Sequence, residues 1–153
     1  MINSLRTKNI SLIKVKISKS HIDILFKLLK KRKAFTNISH HKVPSYEQHK
    51  RFVNSEPYRY WFLIRNNNSY KGSTLITKNN EISIKLLKHD NIIFSEIIGL
   101  IMKNIKPLKE IPSIRNGNFI FNVSPKNKEV IKTLNNIKCQ KIQETYKIII
   151  DNL

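Results

Sequence analysis

Apolar and polar positions recur along this chain with two periods, one of strands and one of helices. Leu12-Ile-Lys-Val-Lys-Ile17 sets Ile13, Val15 and Ile17 on one face and Lys14 and Lys16 on the other, the alternation of a half-buried strand. Ser18 or Ser20 then offers an N-cap for a helix in which Ile22, Leu25, Phe26 and Leu29 fall at helical spacing, ending in the basic run Lys30 to Lys33. Cations near a helix C-terminus complement its macrodipole, so that run reads first as a structural feature. Thr36 to Pro44 has loop character, and Ser45-Tyr-Glu-Gln48 has the form of a capping box opening a short helix through Phe52.

The next segments read as a meander of three antiparallel strands. Tyr58 to Ile64 is apolar and aromatic enough for a central strand, Asn66 to Ser69 makes a turn, and Ser73 to Thr77 returns. Lys78-Asn-Asn80 turns again into residues 81–102, the stretch around which the chain is organised. There Ile82, Ile84 and Leu86 mark a strand, Lys88 to Asn91 a polar break, and Ile92 to Met102 a nearly all-apolar helix. A strand that feeds a helix leaves unpaired N–H groups at the junction, where proteins commonly hold phosphate. Pro107 to Gly117 is a connection, Asn118 to Val123 a further strand, and Ser124-Pro125 a helix start. Val130, Leu134 and Ile137 form the stripe of the last helix, and Tyr146 to Ile150 is expected to close the sheet.

Composition narrows the class. A chain of 153 residues suits a single domain, 1–153 with its core at about 12–150, and no second domain is needed. The longest apolar run, Ile92 to Met102, is broken by Ser95, Glu96 and Gly99, and a membrane span needs about 20 predominantly apolar residues. Residues 1–6 carry no apolar export signal, so the cytosol is the expected compartment. The single cysteine, Cys139, permits no internal disulfide and no cysteine-based zinc site, and reads as a small core residue.

The formal net charge of +19 invites a nucleic-acid or anionic-membrane reading. The excess is mostly lysine in a chain equally heavy in Asn and Ile, which is the background expected of coding DNA poor in G and C. Such a surface still draws polyanions without sequence preference at low salt, and favours an anionic cofactor or a nucleotide-linked substrate. His40, His41 and His49 lie close in sequence, but no acidic or cysteine partner is spaced to complete a metal site, so no metal is expected. The aromatics of Tyr58 to Phe62 beside Arg59 could stack bases, although at strand spacing they read as core.

The order β-α-α-β-β-β-α-β-α-β, with three meandering strands before the central helix, resembles the GNAT superfamily of acyl-CoA-dependent N-acetyltransferases over about residues 12 to 150. Its most specific local match is Asn122-Val-Ser-Pro125-Lys-Asn127-Lys-Glu-Val130, which is similar to the family's strand and Pro-x-Asn turn opening the next helix. The segment from Ile38-Ser39 through Ser45-x-Glu47-Gln-His49 is similar to members that act on nucleotide-linked amino sugars. The resemblance implies an α/β (α+β) single domain with a mixed, mostly antiparallel twisted sheet and helices on both faces. It further implies acetyl-CoA as co-substrate and a small amine as acceptor, possible instances being sugar nucleotides.

In such a fold the acyl donor lies between two splayed strands. Here that places its pantetheine on Ser83, Ile84, Lys85, Leu86 and Leu87, and its diphosphate on the loop and helix start that include Lys88, Asn91 and Ser95, with Asn127 as a further contact. Glu81, at the start of the family's fourth strand, is the candidate base. The chain departs from the family where phosphate is held: the motif's Gln or Arg and its two small residues fall at Asn91, Phe94 and Glu96. A carboxylate at that point would oppose a diphosphate by roughly 4 kcal/mol at 4 Å and an effective dielectric near 20. The family's helix tyrosine falls on Leu134, and its Gly-Phe on Lys138-Cys139. Two readings follow, an active N-acetyltransferase and a GNAT-like binding or regulatory module whose cofactor site has decayed.

Overall fold

A computed structural model describes residues 2–32 and 42–148. Lys33, His40 and His41, residues 36–41 of the loop expected at Thr36 to Pro44, and Ile149 and Ile150 lie outside them. The elements are β1 (Ser4–Arg6), β2 (Ile10–Lys14), α1 (Lys19–Lys31), α2 (Tyr46–Asn54), β3 (Tyr60–Asn66), β4 (Ser69–Ile76), β5 (Glu81–Leu86), α3 (Asn91–Asn104), β6 (Ile120–Phe121) and α4 (Lys128–Asn136).

The strands form one sheet in chain order, β1 to β6. Every neighbouring pair is antiparallel except β5 and β6, which run parallel because α3 and the 105–119 connection carry the chain across the sheet between them. Successive residues of β3 supply opposite faces. Phe62 and Ile64 join a core with Leu12, Ile82, Ile84, Phe94, Ile97 and Ile101 beneath α3, while Leu63 joins Ile22, Leu25, Leu28 and Val53 beneath α1 and α2. Helices thus cover both faces, as the resemblance implied.

Local signals place the helix starts. Ser18 accepts the N–H of His21 at the head of α1. Ser45 and Gln48 complete the reciprocal capping box of α2, with Gln48 N–H donating to Ser45 Oγ at 3.2 Å and Ser45 N–H to Gln48 Oε1 at 2.9 Å. Asn67 and Asn68 both take positive φ in the β3–β4 turn, a conformation that asparagine tolerates.

Several expectations are corrected. The first predicted strand begins at Ile10 rather than Leu12, because Ile10 and Leu12 face the α3 core while Ile13 and Val15 face the other layer; Ile17 is exposed beyond its end. A three-residue strand, Ser4–Arg6, pairs outside it. The strand expected at 118–123 is reduced to Ile120 and Phe121, and α4 starts at Lys128 after Asn127 rather than at Ser124-Pro125. In the described part of the predicted closing strand, Tyr146 to Ile148, the chain is exposed and belongs to no strand. Cys139 is exposed as well, not a core residue.

Two residues fix the geometry around β5. An added Cβ on Gly72 of β4 would lie 2.0 Å from the Lys85 carbonyl oxygen, so only glycine lets the two backbones approach there. Asn80 is buried with φ 63° in the β4–β5 turn. Its Nδ2 donates to the carbonyls of Leu108 and Asn116, and its Oδ1 accepts from Leu108 N–H, all at 2.8 Å. That side chain ties the long connection to the head of β5.

Candidate active site

The parallel pairing of β5 and β6 ends after Glu81↔Ile120 and Ile82↔Phe121. Beyond it β6 turns away through Asn122, Val123 and Ser124, and Asn127 caps α4 by accepting the Val130 N–H. A notch is left along the rest of β5. Leu87 N–H donates to the Lys71 carbonyl at 2.9 Å, and alternation along an antiparallel strand then turns the backbone groups of Ser83 and Lys85 toward β4. The groups of Ile84 and Leu86 face the notch.

That alternation sorts the predicted donor-binding residues. Ile84 and Leu86 offer backbone to the notch and pack their side chains under α3; Ser83, Lys85 and Leu87 commit their backbone to β4 and lie on the α1/α2 face. Asn127 lines the notch together with Phe94, Phe121, Val123 and Val130. The cavity there is about 20 Å³, room for roughly one water. A wider depression of about 370 Å³ lies between the β1–β2 and β3–β4 turns, walled by Lys8, Asn9, Arg65 and Asn68.

At the end of the notch, α3 carries its own anion. Asp90 caps the helix, its Oδ1 accepting the N–H groups of Ile92 and Ile93, both at 2.9 Å. The amides of Lys88, His89, Asp90 and Asn91 have no acceptor among the described residues, and Lys88 is exposed beside them. Of the two residues expected to obstruct this end, only Phe94 lines the notch, its ring also lying 5.6 Å from that of His89. Phe94 is buried against Phe121, with ring centroids 6.1 Å apart, and Glu96 turns away to accept from Thr7 Oγ1 at 2.8 Å and Asn9 Nδ2 at 3.4 Å. Ser95 sits one turn into the helix, half-buried.

Asn91 is exposed, and its side chain reaches α4. Thr133 Oγ1 donates to Asn91 Oδ1 at 2.6 Å, and His89 Nε2 lies 2.8 Å from that oxygen and 2.9 Å from Thr133 Oγ1. Sequence reasoning missed this clasp, since His89 and Thr133 are 44 positions apart. Leu134, at the family's tyrosine position, is partly buried against the α3 core.

Glu81 stands at the closed end of the notch. Its Oε2 accepts from Thr77 Oγ1 at 3.1 Å and its Oε1 from Asn122 Nδ2 at 3.0 Å. Both oxygens are oriented, and each keeps a lone pair. On the α1/α2 side, His49 is buried with Nε2 3.2 Å from the Ile22 carbonyl. Burial pushes its pKa below the usual imidazole value, the Ile22 bond opposes that shift, and the Arg32 charge adds to it. Among the described residues no group of three or more His, Cys, Asp or Glu could hold a metal ion, and no helix is long and apolar enough to cross a membrane.

No protein-family model matches the sequence, and no curated protein sequence matches it. Solved structures do match the fold. One is RimL, a ribosomal L7/L12 α-N-protein acetyltransferase in complex with coenzyme A, which aligns with 88% of this chain and 82% of its own at a TM-score of 0.65 and 16% identity. Another is an acetyltransferase from Salmonella typhimurium that modifies the N-terminal serine of 50S ribosomal subunit protein L7/L12, with 86% and 81% covered, a TM-score of 0.62 and 18% identity. The chain therefore has the GNAT fold.

Proposed function

We propose that this GNAT-fold chain is an acyl-CoA-dependent N-acetyltransferase that acts on a primary amine. The observation that carries the reading is the split between β5 and β6, which turns the backbone of Ile84 and Leu86 to an open edge leading to the start of α3. An extended amide-bearing arm pairs with such an edge as a further strand would. The free amides of Lys88 to Asn91 and the Lys88 ammonium suit a diphosphate at its far end. Asp90 opposes that charge but leaves those four amides open.

Acetyl-CoA, when bound, supplies an acetyl group activated as a thioester. The chain's own part is to hold the amine and take its proton. Glu81 is the residue for that, oriented by Thr77 and Asn122 on the acceptor side of the notch. No tyrosine stands in α4 to act as an acid. A sugar-nucleotide acceptor rested on residues 38–49, of which 38–41 are outside the described residues, and both structural neighbours are described as acting on a protein. The acceptor class that remains is a primary amine.

A thiol-release assay with acetyl-CoA and a panel of amines tests the reading. Turnover above the uncatalysed rate, reduced about 10²-fold or more in Glu81→Gln, is the expected result. No turnover with any amine would oppose an active transferase, and full activity in Glu81→Gln would remove Glu81 from the role of base. The second reading, a decayed binding module, is favoured by the Asp90 carboxylate on the helix terminus and the narrowness of the notch. Binding of acetyl-CoA without turnover would favour it. The +19 surface adds non-specific polyanion binding at low salt under either reading.

A further inference from the structure

Arg32 ends α1 and lays its guanidinium on the α1/α2 face of the sheet, where Nη2 donates to Ser73 Oγ at 3.0 Å. Ser73 pairs with Leu63 on one side, a residue of the α1/α2 core, and with Lys85 on the other. A second cation therefore flanks the same serine. Among the described residues the Arg32 Nε–H is buried without an acceptor, and no carboxylate is paired with this guanidinium. Burying a guanidinium without a counter-charge is costly, so folds keep one where something anionic completes it.

A second observation points the same way. The indole N–H of Trp61 is also buried without an acceptor among the described residues, and Trp61 packs against the same core. Tyr58 joins the two, its ring 5.0 Å from that of Trp61; burial pushes its phenol pKa up, and the nearby Arg32 charge opposes that shift. Desolvation lowers the pKa of both Arg32 and Lys85, and the Arg32 charge lowers that of Lys85 further. Two unsatisfied donors and two crowded cations thus share one face.

We propose that this patch receives an oxyanion of the acceptor, a carboxylate or a phosphate, so that the substrate is a primary amine bearing a negative group at a fixed reach. The inference rests on the transferase reading for the amine end and on Arg32, Ser73, Lys85 and Trp61 for the anionic end. Glu81 and Lys85 lie on the same face of β5, four residues apart, which is about 13 Å of strand. The reach is that of a short peptide or a six-carbon chain rather than of a simple amino acid.

Trp61 is the only tryptophan of the chain, so its fluorescence reports on the patch directly. The test titrates the full chain, without acyl donor, with 6-aminohexanoate, 6-aminohexyl phosphate and neutral hexylamine. A saturable change with at least one of the two anions and none with hexylamine is the expected result, and the better of the two anions identifies the oxyanion. Arg32→Lys, which keeps the charge but loses Nε–H, and Lys85→Met are each expected to weaken that binding tenfold or more, with circular dichroism confirming that the variants fold. No saturation with either anion, equal binding of hexylamine, or native-like binding by both folded variants overturns the proposal. Saturable anion binding with no acetylation of the bound amine on adding acetyl-CoA leaves the patch standing and removes the transferase reading. Equal acetylation of hexylamine and both anions does the reverse.

Discussion

The Asp90 carboxylate accepts the backbone N–H of Ile92 at 2.9 Å, so the head of α3 holds a side-chain anion at the end of the notch where the acyl donor is proposed to lie. The anion is a cap, and asparagine caps about as well as aspartate. Asp90→Asn is therefore expected to change stability by less than about 0.5 kcal/mol while tightening acetyl-CoA binding about three- to tenfold, the effect of removing one screened like charge. Urea denaturation and calorimetric titration measure the two quantities. Unchanged affinity would show that the carboxylate does not face the donor.

Two glycines separate backbone approach from helix propensity. Gly72→Ala drives a methyl group into the Lys85 backbone, so β4 and β5 must part, with a loss of about 2 kcal/mol or more and disturbance of the adjoining Lys85. Gly99 lies on the exposed side of α3 with open space around its missing Cβ, and Gly99→Ala is expected to add about 0.5–1 kcal/mol. Thermal melts of the pair should move in opposite directions.

Asn80 is a donor to two carbonyls as much as an acceptor. Asn80→Asp keeps the shape but sets a carboxylate against the Leu108 and Asn116 carbonyls in a buried turn. A loss of about 3 kcal/mol or more follows from the unsatisfied and like-signed contacts. Equilibrium unfolding checks it, with the loss reduced at low pH, where the acid can be protonated and donate.

The buried imidazole of His49 makes stability sensitive to acid. Its folded pKa is lowered, chiefly by burial, so between that value and the unfolded value near 6.5 the unfolded chain holds more protons. Stability from this group is fully present above about pH 6.5 and is lost as pH falls through the window beneath it. His21, lowered by burial and then by Lys16, acts in the same direction. Unfolding free energies at several pH values between 7.5 and 5 should fall with acid, and His49→Gln should flatten part of that slope; an unchanged slope would contradict the assignment.

What the sequence made legible was local or periodic. The Ser45–Gln48 capping box, the Ser18 cap and the three-strand meander depend on spacings of a few residues, and all three stand in the fold. Asp90 was legible in principle, an acid directly before an apolar helical run, yet the family pattern drew attention to Phe94 and Glu96 instead. Ser4–Arg6 is too short to show a period, with only Leu5 buried. Arg32 reads as one more cation in a basic run, and only tertiary packing takes it onto Ser73. The Asn80 clamp and the His89–Thr133 contact join distant segments, which no local pattern encodes.

Titration calorimetry of the full chain with acetyl-CoA tests the central claim most directly. One-to-one binding with a dissociation constant within about 1 µM–1 mM, the usual range of substrate affinities, is the predicted result, because the β5–β6 pairing ends before Ile84 and Leu86 and the amides of Lys88 to Asn91 have no acceptor among the described residues. An absence of heat at millimolar acetyl-CoA, in the native chain and in Asp90→Asn alike, would contradict it.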